Sequence, residues 1–480
     1  MADGNSFIYF DKFVTASQLI MEKRFFTTFF CMAILCFQSY GQEKKWTLKE
    51  CVEYALQHNI SIKQSELDLK LNEISKKDAL GNFLPTANAS INHSWNIGLN
   101  PDPITGIQQQ QTTMFSNAGL STSVDIYKGL QNQAQFRKAK MTIVAGQYQL
   151  QKMQEDTALN VANAFLQILF NKENLKVQQQ QLKVDLEQAE RSKELLEGGA
   201  IPKGDLLDIE ATVAADRQRV IQAENQLLIS KLSLAQLLQL QNFQAFDIAD
   251  EEYPMENEIL LQTPEAIYNK AKSFRVEMKL ALANLDVAVQ DVKIARGAYQ
   301  PTLRGFYSLD TRVLYSDYID YITPTGGGAP QPVFRSQPPL LDQVWNNKGH
   351  AFGFQLSIPI LNGFATRNNV ERSKVAFERS KLALSQQELD LERNVYTAYT
   401  DAQGALRSYE AAVSAANARA EALSYAKDRY EVGLINVFDM NQAQGLSVNA
   451  QSEVLRTKYD YIFRVKILEL YFGIPIFQKL

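Results

Sequence analysis

The sequence is poor in the residues that build chemical sites. Its 480 residues include three cysteines and three histidines, too few for a disulfide framework. His58, His93 and His350 stand far from one another and from any cysteine at ligand spacing. No phosphate-binding loop, zinc helix motif or nucleophile elbow occurs, so no enzyme, metal centre or cofactor is expected. Charge of one sign is also scarce: the net balance is -4, which gives no general attraction to nucleic acid or to an acidic surface. No run of about 18 apolar residues appears, and the mean hydropathy is -0.24, which argues against a helical membrane protein. A transmembrane β-barrel stays open, because its strands alternate polar and apolar residues and average out in bulk hydropathy. What is present is a folding composition, 45% hydrophobic and 21% charged, in a chain long enough for about three ordinary domains.

The amino terminus reads as an address. Met21-Glu22-Lys23-Arg24 precedes an apolar stretch over residues 25–37 and then Ser39-Tyr40-Gly41, the basic, apolar and cleavage regions of a secretory signal peptide. Residues 1–20 precede an ordinary signal and read as an upstream extension, an over-extended start site or an untranslated lead, for which no structural role is expected. Cys31 and Cys36 leave with the signal, so the mature chain keeps Cys51 and forms no internal disulfide. Leu35 precedes Cys36 where a lipoprotein signal wants a small residue, and no lipid anchor is expected.

The mature chain repeats itself. Ala79-Leu80-Gly81-Asn82-Phe83-Leu84-Pro85-Thr86 returns as Ala295-Arg296-Gly297-Ala298-Tyr299-Gln300-Pro301-Thr302, a shift of 216 residues (297 minus 81). Val124-Asp125-Ile126-Tyr127-Lys128-Gly129 matches Ile358-Pro359-Ile360-Leu361-Asn362-Gly363 at a shift of 234 (363 minus 129). Gly199 and Asp205 match Gly433 and Asp439 at the same shift. A period this long implies two duplicated halves rather than a solenoid. The expected division is residues 1–41 for extension and signal (from 21), 42–240 for the first repeat, 241–264 for an acidic, proline-bearing linker, 265–473 for the second repeat and 474–480 for a tail.

Each half has the same internal order. Thr47 and Glu50 form a capping box before the helical pattern of Leu48, Val52, Ala55 and Leu56. Pro85 and Pro301 then favour extended chain, and the period changes to two. Ala87, Ala89, Ile91, His93, Trp95, Ile97 and Leu99 alternate with Thr86, Asn88, Ser90, Asn92, Ser94 and Asn96. Met114, Ala118, Leu120, Val124 and Ile126 alternate with Asn117, Gly119, Ser121, Ser123 and Asp125. In the second half Phe352, Phe354, Leu356, Ile358 and Ile360 alternate with small or polar residues, and Leu303, Tyr307, Leu309 and Val313 do so less cleanly. These four strands have the length that crosses an outer membrane at a tilt, with Trp95, Phe306 and Tyr307 near a lipid interface. Four strands cannot close a barrel, so a spanning reading needs several chains. The bland alternative is a soluble sandwich with one wet face.

Residues 129–197 and 363–431 contain no proline, and at the helical rise each reaches about 100 Å. Ile168, Leu175, Leu182, Ala189 and Leu196 recur every seven residues, as do Ala402, Tyr409, Ala416, Leu423 and Tyr430. Leu206, Val213, Val220, Leu227 and Leu234 repeat the spacing after the glycine turn. Such stripes specify helices packed knobs-into-holes, here two antiparallel hairpins with tips at Gly198-Gly199 and Gly433. The polar residues 178–181 are expected to meet water. Gly326-Gly327-Gly328 lies in an insertion over 315–339 that reads as an extracellular loop.

Taken together, the signal peptide, the two halves, the repeated Gly-x-aromatic-x-Pro-Thr, the Asn362-Gly363 junction and Tyr430-Glu431-Val432-Gly433-Leu434 with Asp439 resemble the TolC-type outer-membrane factor family. The resemblance covers about 46–473. It implies a mainly α fold with membrane β-strands: long coiled-coil hairpins and four strands per chain, a homotrimer with a 12-stranded barrel in outer-membrane lipid, and a periplasmic α-barrel. It also implies an exit duct of a tripartite efflux pump or type I secretion system, joined to a periplasmic adaptor and an inner-membrane transporter of the RND or ABC class. By the same resemblance the tips, Gly198, Gly199, Ala200 and Val432, Gly433, Leu434, contact the adaptor, although glycine is also what a tight helix-helix turn needs. Asp205, Asp208, Tyr430, Asp439 and Gln442 are the implied entrance and gate residues. Gln442 stands where the family has a second acid, and Ile435 where some members have an arginine. Six carboxylates from Asp205 and Asp439 in a trimer would attract cations; read alone, Asp205 is also a plausible helix cap. The rival classes are a periplasmic adaptor, which has a single hairpin between β-rich halves, and a secreted structural coiled coil, which has no need of period-two strands.

Overall fold

Two helices of 67 residues, α3 (Gln131–Glu197) and α8 (Ala365–Glu431), set the frame on which everything else packs. The structure is a computed structural model and describes residues 45–101, 108–241, 258–316 and 338–474, with short stretches between 244 and 255 and between 319 and 334. The expected signal peptide, Cys31, Cys36 and all but the first residue of the tail lie outside the described residues.

Each half runs in the same order. The first has α1 (Leu48–His58), α2 (Ile60–Gly81), β1 (Thr86–Pro101), β2 (Gln108–Lys128), α3 and α4 (Lys203–Leu237). The second has α5 (Pro264–Phe274), α6 (Val276–Gly297), β3 (Thr302–Ser316), the short α7 (Leu340–Asn346), β4 (Gly349–Ser357), α8 and α9 (Val437–Phe472). The returning helices α4 and α9 are half as long as α3 and α8, and the α1–α2 and α5–α6 pairs fill the remaining half. The breaks within those pairs coincide at the 216-residue shift. Asn59 (φ -60°, ψ 130°) and Arg275 (φ -58°, ψ 135°) share one extended conformation. Asn59 caps α2 by accepting from the Ser61 N–H at 2.9 Å and donates to the Leu237 carbonyl at 3.1 Å, which ties the end of α4 to the start of α2. The expected capping box at Thr47 and Glu50 is present, and Thr263, 216 residues later, caps α5.

Leu48, Val52, Ala55, Val161, Phe165, Ile168 and Leu234 form one core, with Cys51, Phe246 and Ile248. The second repeat builds its own around Ile267, Ala271, Val395, Ala402, Val465 and Leu468. Burying an aliphatic side chain of this kind contributes about 1.5–3 kcal/mol, so these cores anchor the upper half of each hairpin. Toward the tips the seams are narrower, with Val213 and Val220 buried on α4.

The sheet order is β1-β2-β3-β4, all antiparallel, with β1 and β4 as edges. Because directly paired residues share a face, the register sorts the side chains. Ile91, Trp95 and Ile97 join Met114, Ala118 and Leu120, then Tyr307, Leu309 and Val313, then Phe352, Phe354 and Leu356 on one face. The other collects Asn88, Ser90, Asn92, Asn117, Ser121, Ser308, Asp310 and Gln355. Phe306 departs from the expectation of a lipid-interface position: it pairs with Ser123 and Gly353 on the polar face, and the space above Gly353 is what its ring occupies. Ile91, Ile97 and Phe352 are 80%, 81% and 81% exposed in the single chain, so most of this apolar face has no cover within it, although Val313 toward its far end is buried.

The strand-to-helix junctions repeat as well. Gly129 and Leu130 have φ of 57° and 59°, and Gly363 and Phe364 have 60° and 64°. At Gly129 the backbone comes so close to Gly297 that a Cβ would lie 2.1 Å from the Gly297 carbonyl oxygen. Only glycine fits that approach of α6 to the start of α3.

Candidate functional site

The two hairpin tips fold by one mechanism. In the first, the Ala200 N–H donates to the Leu195 carbonyl at 2.8 Å and the Gly199 N–H to that of Leu196 at 2.9 Å. In the second, Leu434 donates to Arg429 at 2.8 Å and Gly433 to Tyr430 at 3.0 Å. This is the paired bonding of a Schellman stop, with Gly199 (φ 71°) and Gly433 (φ 72°) at its left-handed position. Turn geometry accounts for these glycines. It does not account for Val432 and Leu434, which are 70% and 68% exposed beside the turn. The first tip presents Gly198, Gly199 and Ala200, with no large side chain.

The tips are joined to each other. Ile209, Val437 and Met440 form a small core, with Ala189, Tyr430 and Ile435 packed on it. Beside it lies a cavity of about 630 Å³ lined by Ala200, Asp205, Tyr430, Gly433, Met440 and Gln444. Arg191 and Glu431 meet across it at 3.7 Å. The fold thus gathers Asp205, Tyr430, Ala200 and Gly433 from both repeats around one space. Asp208, Asp439 and Gln442 are exposed and do not line it.

Asp205 is the third residue of α4, whose cap is Pro202 with no side-chain bond. It is therefore not the helix cap, but a first-turn acid favoured by the helix dipole. Asp439 is the third residue of α9, where its N–H donates to Oδ1 of the capping Asn436 at 2.8 Å. The two aspartates, matched by the repeat, hold matched places in their helices.

Sequence reading misses the most perturbed group near the tips. Asp185 of α3, 3% exposed, faces Asp216 of α4, 2% exposed. Burial, and then the hydrogen bond with Asp216, push the Asp185 carboxyl up to about 7, against the bonds it accepts from Gln181 and Gln444. Asp216 in turn accepts from Arg219 at 2.6 Å. The expectation that residues 178–181 only meet water fails at both ends of that run. Gln181 serves Asp185, and Gln178 reaches Ser452 of α9 at 3.4 Å. The signal was a second seven-residue series, Asn171, Gln178, Asp185 and Ser192, three positions behind the apolar stripe. Three of its members are almost fully buried.

Among the described residues no group of acidic, histidine or cysteine side chains could hold a metal, and no helix is long and apolar enough to cross a membrane. The duplicated hairpins and the two-faced sheet are the architecture of an outer-membrane subunit. The chain belongs to the outer membrane efflux protein family, whose description matches residues 51–239 and 267–473. That family consists of channels rather than enzymes and places the chain in the outer membrane, with its helical part in the periplasm. The chain is 22% identical over 320 residues to the outer membrane protein TolC of Vibrio cholerae, covering 65% of this chain and 66% of that protein. It is 29% identical over 193 residues to the pyoverdine export outer membrane protein OpmQ of Pseudomonas aeruginosa, covering 39% of each. The chain therefore spans just under two thirds, and about two fifths, of these relatives. The crystal structure of the outer membrane protein VceC from Vibrio cholerae shares the fold at a TM-score of 0.71 and 15% identity, over 89% of this chain and 96% of that one.

Proposed function

We propose that the chain is one third of a homotrimeric duct through the outer membrane, the exit of a tripartite efflux pump or type I secretion system. The observation that carries this is an empty seat. Within the chain, α3 of the first repeat packs on α6 of the second, closed at Gly129 and Gly297 and by Lys138 to Asp291 at 2.6 Å. The repeat shifts map α3 onto α8 and α6 onto α2. On α8 the corresponding region carries Val375, Leu382, Leu389 and Tyr396 every seven residues, and α2 carries Leu67, Leu71 and Ile74 on one face, all exposed. Gly81 and Gly363, the counterparts of Gly297 and Gly129, have nothing within 4 Å of where a Cβ would stand. A second copy laying its α2 on this α8 repeats the intrachain contact and brings its β1 edge to the free β4 edge.

Such a head-to-tail contact closes into a ring. Two copies would give eight strands, a barrel that side chains fill; three give twelve and leave a conduit. The polar face of Asn, Ser and Gln residues lines it, and the apolar face meets lipid. At the far end, Val432 and Leu434 are the proposed contact for a periplasmic adaptor, which would couple the duct to an RND or ABC transporter. Asp205 and Asp439 are the proposed acidic lining of the entrance, with Tyr430 at its constriction and Asp208 and Gln442 beside it. Planar-bilayer recording of the purified protein tests this. Discrete conductance steps with cation preference are expected, and Asp205→Asn with Asp439→Asn should reduce that preference. Absence of any conductance would sink the duct; unchanged selectivity in the double variant would remove the acidic entrance alone.

A further inference from the structure

The fourth strand is cut short, and a helix takes its place. β3 continues to Ser316, but β4 ends at Gly349, opposite Asp310. Beyond that point α7 closes the β3 edge with side chains in place of a ladder. Oε1 of Gln343 accepts from the Leu314 N–H at 3.1 Å, Nδ2 of Asn347 donates to the Arg312 carbonyl at 2.7 Å, and the Thr311 hydroxyl donates to the Val344 carbonyl at 2.8 Å. Gln343 is buried and also donates to the Pro338 carbonyl at 3.0 Å, so its amide is held at both ends. This satisfies backbone groups that could not stand open at membrane depth.

What α7 turns away from the strand is apolar. Leu340, Leu341 and Trp345 are 51%, 70% and 66% exposed, and the Lys348 ammonium lies 4.7 Å from the centre of the Trp345 ring. Thr311, to which α7 is bonded, belongs to the apolar face of the sheet through its pairing with Ala118. The exposed side of α7 is thus continuous with the face assigned to lipid, at the end of the sheet remote from the helical hairpins. A tryptophan with an apolar ring and a polar N–H suits the headgroup boundary, and a lysine there keeps its charge in the polar layer while its stem covers apolar surface.

We propose that α7 is an interfacial anchor: Leu340, Leu341 and Trp345 enter the headgroup–acyl boundary of the outer leaflet, with Lys348 directed to anionic headgroups. This rests on the reading that the apolar face of the sheet meets lipid. The competing occupant is the β1 edge of a neighbouring copy, which would shield the same side chains from both lipid and water.

Single-tryptophan proteins separate these outcomes. The full chain carrying Trp46→Phe and Trp95→Phe, reconstituted in phosphatidylcholine–phosphatidylglycerol vesicles, leaves Trp345 as the reporter. Its emission is expected to fall more with lipid brominated near the headgroup than with lipid brominated near the chain end. Quenching by aqueous acrylamide without bromolipid quenching, or quenching by neither, overturns the anchor. The companion Trp46→Phe, Trp345→Phe protein reports on Trp95 of the sheet face. If Trp95 is also untouched by either bromolipid, the lipid reading of the sheet has failed; if Trp95 is quenched and Trp345 is not, the anchor alone has failed. Should the tryptophan variants not assemble, a nitroxide on Leu341→Cys in the otherwise unaltered chain gives the same decision. Greater relaxation by oxygen than by a water-soluble nickel complex supports the anchor, and the reverse overturns it.

Discussion

The Asp185–Asp216 pair is a place where a single proton alters stability. Two carboxyls that share a buried site cannot both ionise cheaply. The fold resolves this by holding Asp185 up near 7 while Arg219 faces Asp216. In the unfolded chain Asp185 releases its proton near its ordinary 3.8. Between those values the folded protein keeps a proton that the unfolded one has lost, so the contribution of this group to stability is fully present below about pH 4 and is lost as pH rises through 7. Each unit of separation is worth about 1.4 kcal/mol, which makes the whole effect a few kcal/mol. Asp185→Asn keeps the shape, lets the amide donate to Asp216 and still accepts from Gln444. The variant should melt higher than the parent at pH 8 and show a flatter dependence of melting temperature between pH 4 and 8. A parallel profile in the two proteins would mean that Asp185 is not the titrating group. The pair escapes a sequence reading because a polar residue at a seam position looks the same as one on a wet face until the partner helix is in place.

At the scale of the element, the two tips separate what a turn needs from what a partner needs. Gly433→Ala forces a left-handed residue with a Cβ and should cost about 1–2 kcal/mol, read as a lowered melting temperature. Val432→Ser with Leu434→Ser removes exposed apolar surface with no turn role, so stability should change by less than about 0.5 kcal/mol. Loss of adaptor capture by this second variant, with assembly intact, assigns the tip to docking; retained capture confines the tip to turn geometry. The elements themselves were largely legible. The period-two strands, the proline-free helices, the Thr47 capping box and both glycine turns follow from local chemistry and stand where their patterns predict, except that the fourth strand stops at Ser357 and leaves Ile358 and Ile360 of its expected alternation outside it. Phe306 was mislocated because aromaticity suggested lipid, whereas its place in the alternation put it on the polar face. α7 could not be read: seven residues after Pro338 and Pro339 are too short for a periodic signal, and the contacts that fix it reach back to strand residues 311, 312 and 314.

For the whole molecule, the apolar stripes on α2 and α8 are anomalous in one chain and ordinary in a ring. The duplication predicts the partner surface as well as the need for one, since the α3–α6 contact is its template. Leu382→Asp and Leu67→Asp each place a carboxylate with no partner in that interface, at a cost of about 3–5 kcal/mol per contact when buried unpaired. Each contact in a homotrimer carries one copy of the defect, so either variant alone should elute as monomer in detergent and show no conductance. A mixture of the two is more informative. The α8 face of the Leu67→Asp chain and the α2 face of the Leu382→Asp chain are both intact, so one head-to-tail contact can form between unlike chains. The opposite pairing meets two defects at once, and contacts between like chains meet one. Cross-linking of the mixture should therefore trap a heterodimer and no closed ring. Trimers from either variant alone would show that α2 and α8 do not face each other, and a mixture with no heterodimer would show that the contact is not head-to-tail.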